Sequence, residues 1–202
     1  LAAYAGSGVF FIRPNEIGVV RVLGKIVSTS VDGRTAAQLY APGPHIRLPW
    51  PIGRLDRLRP AETRTATVGF ERVDEILGQR GDPSRSDFLT GDQNLMQMRM
   101  TVQYVVDDPP AYLFAAASPE EALRTEAENC LYQAIASIGV DDLIGAGRTR
   151  ASAAVRDLLD RRLGEHHLGL RVIAVNLQAP APPAEVAEAF NDVQSAKAER
   201  NQ

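Results

Sequence analysis

From Leu95 to Val106 apolar and polar positions alternate. Met96, Met98, Met100, Val102, Tyr104 and Val106 fall on one side; Leu95, Gln97, Arg99, Thr101, Gln103 and Val105 fall on the other. A period of two puts each set on one face of a strand, so this stretch predicts a sheet buried on one side. Gly91-Asp92 supply turn chemistry just ahead of it, and Asp87–Thr90 is the expected antiparallel partner. All three methionines lie on the apolar face, as core packing against helices requires; a methionine metal site is the alternative.

The chain before this strand reads as β-structure. Glu16–Val27 is rich in Val and Ile, is interrupted by Gly24, and predicts a hairpin. Val31–Tyr40 reads as a polar loop. Pro42, Pro44, Pro49 and Pro51 forbid a helix and a central strand, leaving an extended segment with an apolar tip at Leu48–Ile52. Arg54–Phe70 resumes as strand, with Thr63, Thr65, Thr67 and Val68 favouring it. Gly78–Ser86 reads as a loop.

The chain after it turns helical. Asp108-Pro109-Pro110 stops the strand, and a short helix is expected over Ala111–Ala117. Ser118-Pro119-Glu120-Glu121 has the order of an N-cap, a first-turn proline and a capping-box acid. Ala122, Leu123, Ala127, Cys130, Leu131, Ala134, Ile135 and Ile138 then recur at helical spacing. Val140–Ala146 predicts a helical turn. Thr149–Leu163 predicts a helix with Ala151, Ala154, Val155, Leu158, Leu159 and Leu163 inward. Leu170–Leu177 predicts a strand, Ala179–Pro183 breaks it, and a last helix starts near Ala184. The fold class is α+β: two small α/β subdomains followed by a long C-terminal helix.

Both ends are abrupt. Residues 1–12 are mostly apolar and stop at Arg13-Pro14-Asn15. Twelve residues are fewer than the roughly 20 a spanning helix needs. They read either as a buried or frayed segment or as the last turns of a transmembrane helix. The C-terminal helix reaches Gln202 without a stop signal.

Composition narrows the function. Of 202 residues 45% are hydrophobic and 23% charged, which suits a globular core and not a polytopic membrane protein. A net charge of −3 gives no nucleic-acid footprint. The single cysteine, Cys130, excludes an intramolecular disulfide and a cysteine metal cluster. No G-x-S-x-G, H-E-x-x-H, Walker A or helix-opening G-x-G-x-x-G is present. His166 and His167 are neighbours, so on a helix they diverge by about 100°. His45 stands alone between prolines. Asp107-Asp108 and Asp141-Asp142 read as turn and cap residues. No catalytic, cofactor or metal residues emerge, and binding or assembly is favoured over enzymatic work.

Leu89, Thr90, Asp92 and Asn94, followed by Val102-Gln103-Tyr104, resemble the L-T-x-D-x-N hairpin and V-Q-Y strand end of the band-7, or SPFH (stomatin/prohibitin), superfamily. Pro110-Ala111-Tyr112-Leu113-Phe114 is similar to a helix of its HflK subgroup. Gly18-Val19-Val20 with Gly24-Lys25 resembles the family's opening strand. Pro42-Gly43-Pro44-His45 and Pro49-Trp50-Pro51 resemble its proline segment, with Pro44 in place of the usual Leu. Gly169, Val172, Val175, Gln178, Pro182-Pro183, Val186, Phe190, Val193 and Arg200 resemble the domain's end and the start of its stalk. The Thr29–Leu39 loop is longer than that subgroup implies, so a homo-oligomeric stomatin-like relative is an alternative.

The resemblance implies the end of a membrane-anchoring segment at residues 1–13, SPFH subdomains at 14–65 and 66–182, and a coiled-coil stalk from 183 to 202. It implies no catalysis and no cofactor. It implies a homo-oligomer or a pairing with an HflC-like paralogue, forming a ring or cage that modulates an FtsH-like membrane protease. The location implied is the bacterial inner membrane, single-pass, with the domain on the periplasmic side. Two surfaces are expected to carry function. Val9, Phe10, Phe11, Ile12, Leu48, Trp50 and Ile52 are candidates for membrane contact, the alternative being a Trp tucked under the core. Val186, Phe190 and Val193, spaced by four and three, are candidates for an oligomer seam, the alternative being packing on the same chain. An unrecognised hydrolase and a lipid-binding module with an enclosed cavity are the competing classes.

Overall fold

The computed structural model describes residues 9–31, 34–46, 52–69, 87–145, 147–182 and 192. Their contacts divide the chain into two compact units. The first takes Leu1–Arg64, Val105–Pro119 and Leu163–Arg171; the second takes Thr65–Tyr104, Glu120–Arg162 and Val172–Gln202. The chain therefore leaves and re-enters each unit, where the sequence suggested a single cut near residue 65.

In the first unit the strand β2 (Ile17–Val22) is central. One edge pairs along its whole length with β8 (Gly53–Leu58), from Ile17↔Leu58 to Val22↔Gly53. The other edge is shared by β3 (Lys25–Ile26) and β6 (Leu39–Tyr40). The predicted hairpin is thus present, turning at Leu23-Gly24 with both residues at positive φ. Val19, Val20 and Leu58 are buried, and Phe10, Ile12 and Val20 form a core onto which Val22, Val27, Tyr40 and Leu55 pack. Gly18 lets the Ile12 side chain pack close to the strand: a Cβ there would lie 2.5 Å from its terminal methyl, which would have to move. Arg21 and Asp56 form a partly buried ion pair at 2.6 Å. The Arg21 guanidinium also lies over the Phe114 ring, 5.3 Å from its centroid.

Three segments of this unit form strands differently from the expectation. Val9–Ile12 is the strand β1, paired with β7 (Gly43–Ile46), and not the end of a helix. A run of Val, two Phe and Ile is rich in β-formers, and it has a partner strand to satisfy its backbone. The Val31–Tyr40 loop is also largely strand: β4 (Ser28–Val31) and β5 (Arg34–Ala37) form a ribbon. Those runs lack an apolar alternation, so only the hydrogen-bond ladder reveals them. Arg54–Phe70 is likewise two strands, β8 and β9 (Arg64–Gly69), separated by a turn at Pro60.

The first unit's later segments hold one another through Gly169. Its carbonyl accepts from the Asp107 and Asp108 amides at 2.9 and 3.1 Å. Its φ is +66°, and a Cβ would meet the Asp108 carbonyl oxygen at 2.3 Å. Asp107 pairs with Arg171. Asp108 caps helix α1 (Pro109–Phe114) by accepting from the Ala111 amide. This helix starts at the prolines, two residues before the predicted Ala111, because proline suits a first turn.

In the second unit the predicted long strand is two, β11 (Leu95–Gln97) and β12 (Arg99–Val106). β11 pairs with β10 (Asp87–Leu89), and β12 lies between β9 and β13 (Leu170–Leu177). The alternation continues across the break: Met96, Met98, Met100, Val102, Tyr104 and Val106 are all buried. Gly69 permits the close approach at that break, since a Cβ there would fall 2.2 Å from the Met98 carbonyl oxygen. The helices are α2 (Pro119–Ile135), α3 (Val140–Ile144) and α4 (Gly147–Glu165). They contribute Leu123, Ala127, Cys130, Leu131, Ile135, Leu143, Ala151, Val155 and Leu159 to the buried set. Ala154, expected inward, is exposed. Among the described residues no helix is long and apolar enough to cross a membrane.

Candidate membrane-facing surface

The β1–β7 register is Val9↔Ile46, Phe10↔His45, Phe11↔Pro44 and Ile12↔Gly43. Paired residues of an antiparallel ribbon share a face, and successive residues alternate. Phe10 and Ile12 point inward, 7% and 0% exposed. The Phe10, Tyr40 and His45 rings pack against one another with centroids 5.3 to 6.2 Å apart. Phe11 and Ile46 take the other face, 58% and 82% exposed, and Pro44 between them is exposed too. Single exposed apolar residues are ordinary. Here the outward positions of one ribbon face, Phe11, Pro44 and Ile46, are apolar together.

The residues expected at the membrane therefore separate. Phe11 remains outward, whereas Phe10 and Ile12 belong to the first unit's core. Ile52 is 39% exposed. The Val9 side chain, Leu48 and Trp50 lie outside the described residues, as do Val186, Phe190 and Val193. The sequence reading missed Pro44, Ile46 and Leu23, the last 79% exposed at its hairpin turn. The signal was the pairing of a proline-bearing strand with the apolar N-terminal run, which only the register discloses.

The hairpin motif proves to be a joint. The Thr90 hydroxyl donates to Asp92 Oδ1 at 2.5 Å and accepts from the Asn94 amide at 3.1 Å. Asp92 Oδ2 accepts from the Val140 amide at 3.1 Å, and the Gly91 amide donates to the Ile138 carbonyl at 2.9 Å. The turn between β10 and β11 is thereby fastened to the start of α3. The Thr90 hydrogen bond, with those from Val140 and Asn94, holds the Asp92 carboxyl below its ordinary range despite some desolvation.

The other candidate chemistry has local structural roles. His45 Nε2 donates to the Ala41 carbonyl at 2.7 Å. Cys130 is fully buried, and burial pushes its thiol up, away from the reactive thiolate. His167 sits at positive φ just past α4. Among the described residues no group of three His, Cys, Asp or Glu side chains is placed to hold a metal ion.

Residues 10–202 match the family described as SPFH domain / Band 7 family. The chain is 30% identical over 196 residues to "Protein HflK" of Buchnera aphidicola subsp. Schizaphis graminum, covering 97% of this chain and 41% of that protein. It is 29% identical over 199 residues to "Modulator of FtsH protease HflK" of Escherichia coli K12, covering 98% and 41%. It is 30% identical over 186 residues to "Protein HflK" of Haemophilus influenzae, covering 92% and 39%. The chain thus spans about two fifths of the length of these relatives. With a family match across nearly all of its residues, the chain belongs to the SPFH domain / Band 7 family.

Proposed function

We propose that this chain is part of a membrane-anchored, non-catalytic scaffold that assembles into a ring or cage and modulates a membrane AAA protease of the FtsH type. The observation that carries the membrane part is the outward apolar face of the β1–β7 ribbon, Phe11, Pro44 and Ile46. The protease part is supported by the relative named as a modulator of FtsH protease. Phe11, Ile52, Leu48 and Trp50 are the proposed lipid contacts, now joined by Pro44 and Ile46. Residues 183–202 form the proposed stalk, with Val186, Phe190 and Val193 as its seam toward a second copy or an HflC-like paralogue. The proposed location is the bacterial inner membrane, with the domain on the periplasmic side.

The test is a pull-down from native membranes with the chain in its full-length context, followed by degradation of a membrane substrate. Co-purification of an FtsH-type protease, and a changed degradation rate on deleting the chain, are expected. A large oligomer that captures no protease and leaves degradation unchanged would refute protease control and favour a homo-oligomeric stomatin-like scaffold. Phe190→Asp is expected to reduce the oligomer's mass in detergent; an unchanged mass rules out the seam.

A further inference from the structure

The β2–β3 hairpin turns on Leu23-Gly24, whose φ angles are +50° and +83°. Two successive residues at positive φ make the short turn that matches strand twist, and asparagine, aspartate or glycine is its usual first residue. A leucine there is strained, because its Cβ crowds the backbone in the left-handed region. Packing does little to offset the strain, since the Leu23 side chain is 79% exposed. A bulky residue held in an unfavourable conformation with its side chain in water points to a use outside the folded chain.

The turn has apolar company. The Leu23 amide donates to the Ile52 carbonyl at 2.9 Å, which sets Ile52, also exposed, beside it. Ile46 belongs to the same end of the unit. The chain reverses at the Arg13–Glu16 turn, Ile12 packs at Gly18, and Phe10 shares a core with Val20 and Val22. The Val9↔Ile46 end of the ribbon therefore runs back toward Val22. The opposite end of the β2–β8 pair is polar: Arg59 pairs with Glu16 at 3.5 Å and with Glu62 at 3.9 Å. One end of the unit is thus closed by ion pairs, and the other is tipped by Leu23, Ile46 and Ile52.

Charge selects what the apolar end meets. Within residues 21–28 and 52–58 the sole acid is Asp56, and Arg21 holds it. Lys25 and Arg54 are exposed just behind the turn. The apolar tip is backed by cations even though the whole chain has a net charge of −3. Apolar side chains ahead of a basic collar complement a surface that is anionic at its edge and apolar within.

We propose that the Leu23-Gly24 turn is an insertion tip: Leu23, with Ile46 and Ile52, enters the headgroup layer of a bilayer containing anionic phospholipid, and Lys25 and Arg54 meet the lipid phosphates. This rests on the membrane-facing reading of the first unit and adds an orientation to it, with the Arg59 end of β2 and β8 pointing away from the bilayer.

The test compares the parent with Leu23→Asn, which relieves the backbone while removing the apolar group. Flotation on phosphatidylcholine vesicles with and without phosphatidylglycerol reads partitioning, and thermal unfolding reads stability. Leu23→Asn is expected to melt higher than the parent and to partition about tenfold less, or lower still, onto the mixed vesicles. Leu89→Asn removes a 54% exposed leucine from the second unit and is expected to partition as the parent does. Lys25→Gln/Arg54→Gln is expected to lose the parent's preference for vesicles containing phosphatidylglycerol. A Leu23→Asn chain that floats as well as the parent overturns the insertion tip and leaves membrane contact through Phe11 standing. An equal loss in Leu89→Asn overturns it too, as does a parent with no preference for phosphatidylglycerol. A Leu23→Asn chain that melts lower and floats less would make Leu23 a packing residue, which also overturns the tip. Loss of a protein partner from a pull-down, with flotation unchanged, would assign the turn to a protein pocket instead. A parent that floats on neither vesicle defeats the membrane reading and the tip together.

Discussion

The β1–β7 ribbon of the first unit and strand β12 of the second both alternate, but they spend their outward positions differently. On β12 the buried set is Met100, Val102, Tyr104 and Val106, and between them stand Arg99, Thr101, Gln103 and Val105, half-buried and mostly polar. On the ribbon the buried set is Phe10 and Ile12, and the outward set is Phe11, Pro44 and Ile46, apolar and exposed. The first arrangement is that of a sheet adapted to a protein core on one side. The second has apolar groups on both sides, which is what the proposed lipid contact requires. Family membership alone does not distinguish these regions; the register does.

The comparison is broken most strongly at its buried face. Met100→Ala removes a fully buried side chain and is expected to cost about 2–5 kcal/mol. Chemical denaturation would read this as a lowered midpoint. Phe11→Ala should cost less than 1 kcal/mol of stability by the same measurement, because a side chain already in water loses little on truncation. A Phe11→Ala loss as large as that of Met100→Ala would place Phe11 in a core.

The Thr90–Asp92–Val140 joint comes next. Asp92→Ala strands the Val140 amide, while the Thr90 hydroxyl keeps the Asn94 carbonyl as an acceptor at 3.1 Å, and is expected to cost about 1–3 kcal/mol. The sign of its pH dependence follows from the lowered carboxyl. The unfolded chain takes up the proton first, so the stabilisation is complete above the ordinary value of 3.8 and is lost as pH falls through it toward the lower folded value. Asp92→Asn should therefore flatten the acid limb of a stability curve below pH 4 to 5. An acid limb identical to the parent's would remove Asp92 from this role. The smallest effect concerns Cys130: its thiol should resist a thiol reagent in the folded chain and react only on unfolding.

The second unit was largely legible in the sequence. A strict period of two named all six buried positions from Met96 to Val106, and a 3.6 period named Leu123, Ala127, Cys130, Leu131 and Ile135. In both cases burial is written in the spacing of a single segment. The first unit was less legible because its faces are set by partners far along the chain. Phe10, Phe11 and Ile12 are equally apolar, and only pairing with Gly43–Ile46 decides which of them faces out. β4 and β5 carry no apolar pattern, so backbone pairing alone makes them strands.

Flotation with phospholipid vesicles tests the membrane-facing claim most directly, using the parent chain and Phe11→Ser/Ile46→Ser. Removing two apolar side chains worth about 1.5–3 kcal/mol each should lower partitioning by roughly a hundredfold or more. The parent is expected to float and the double variant to stay in the dense fraction with an unchanged melting temperature. A double variant that floats as well as the parent, or a parent that does not float, would contradict the account.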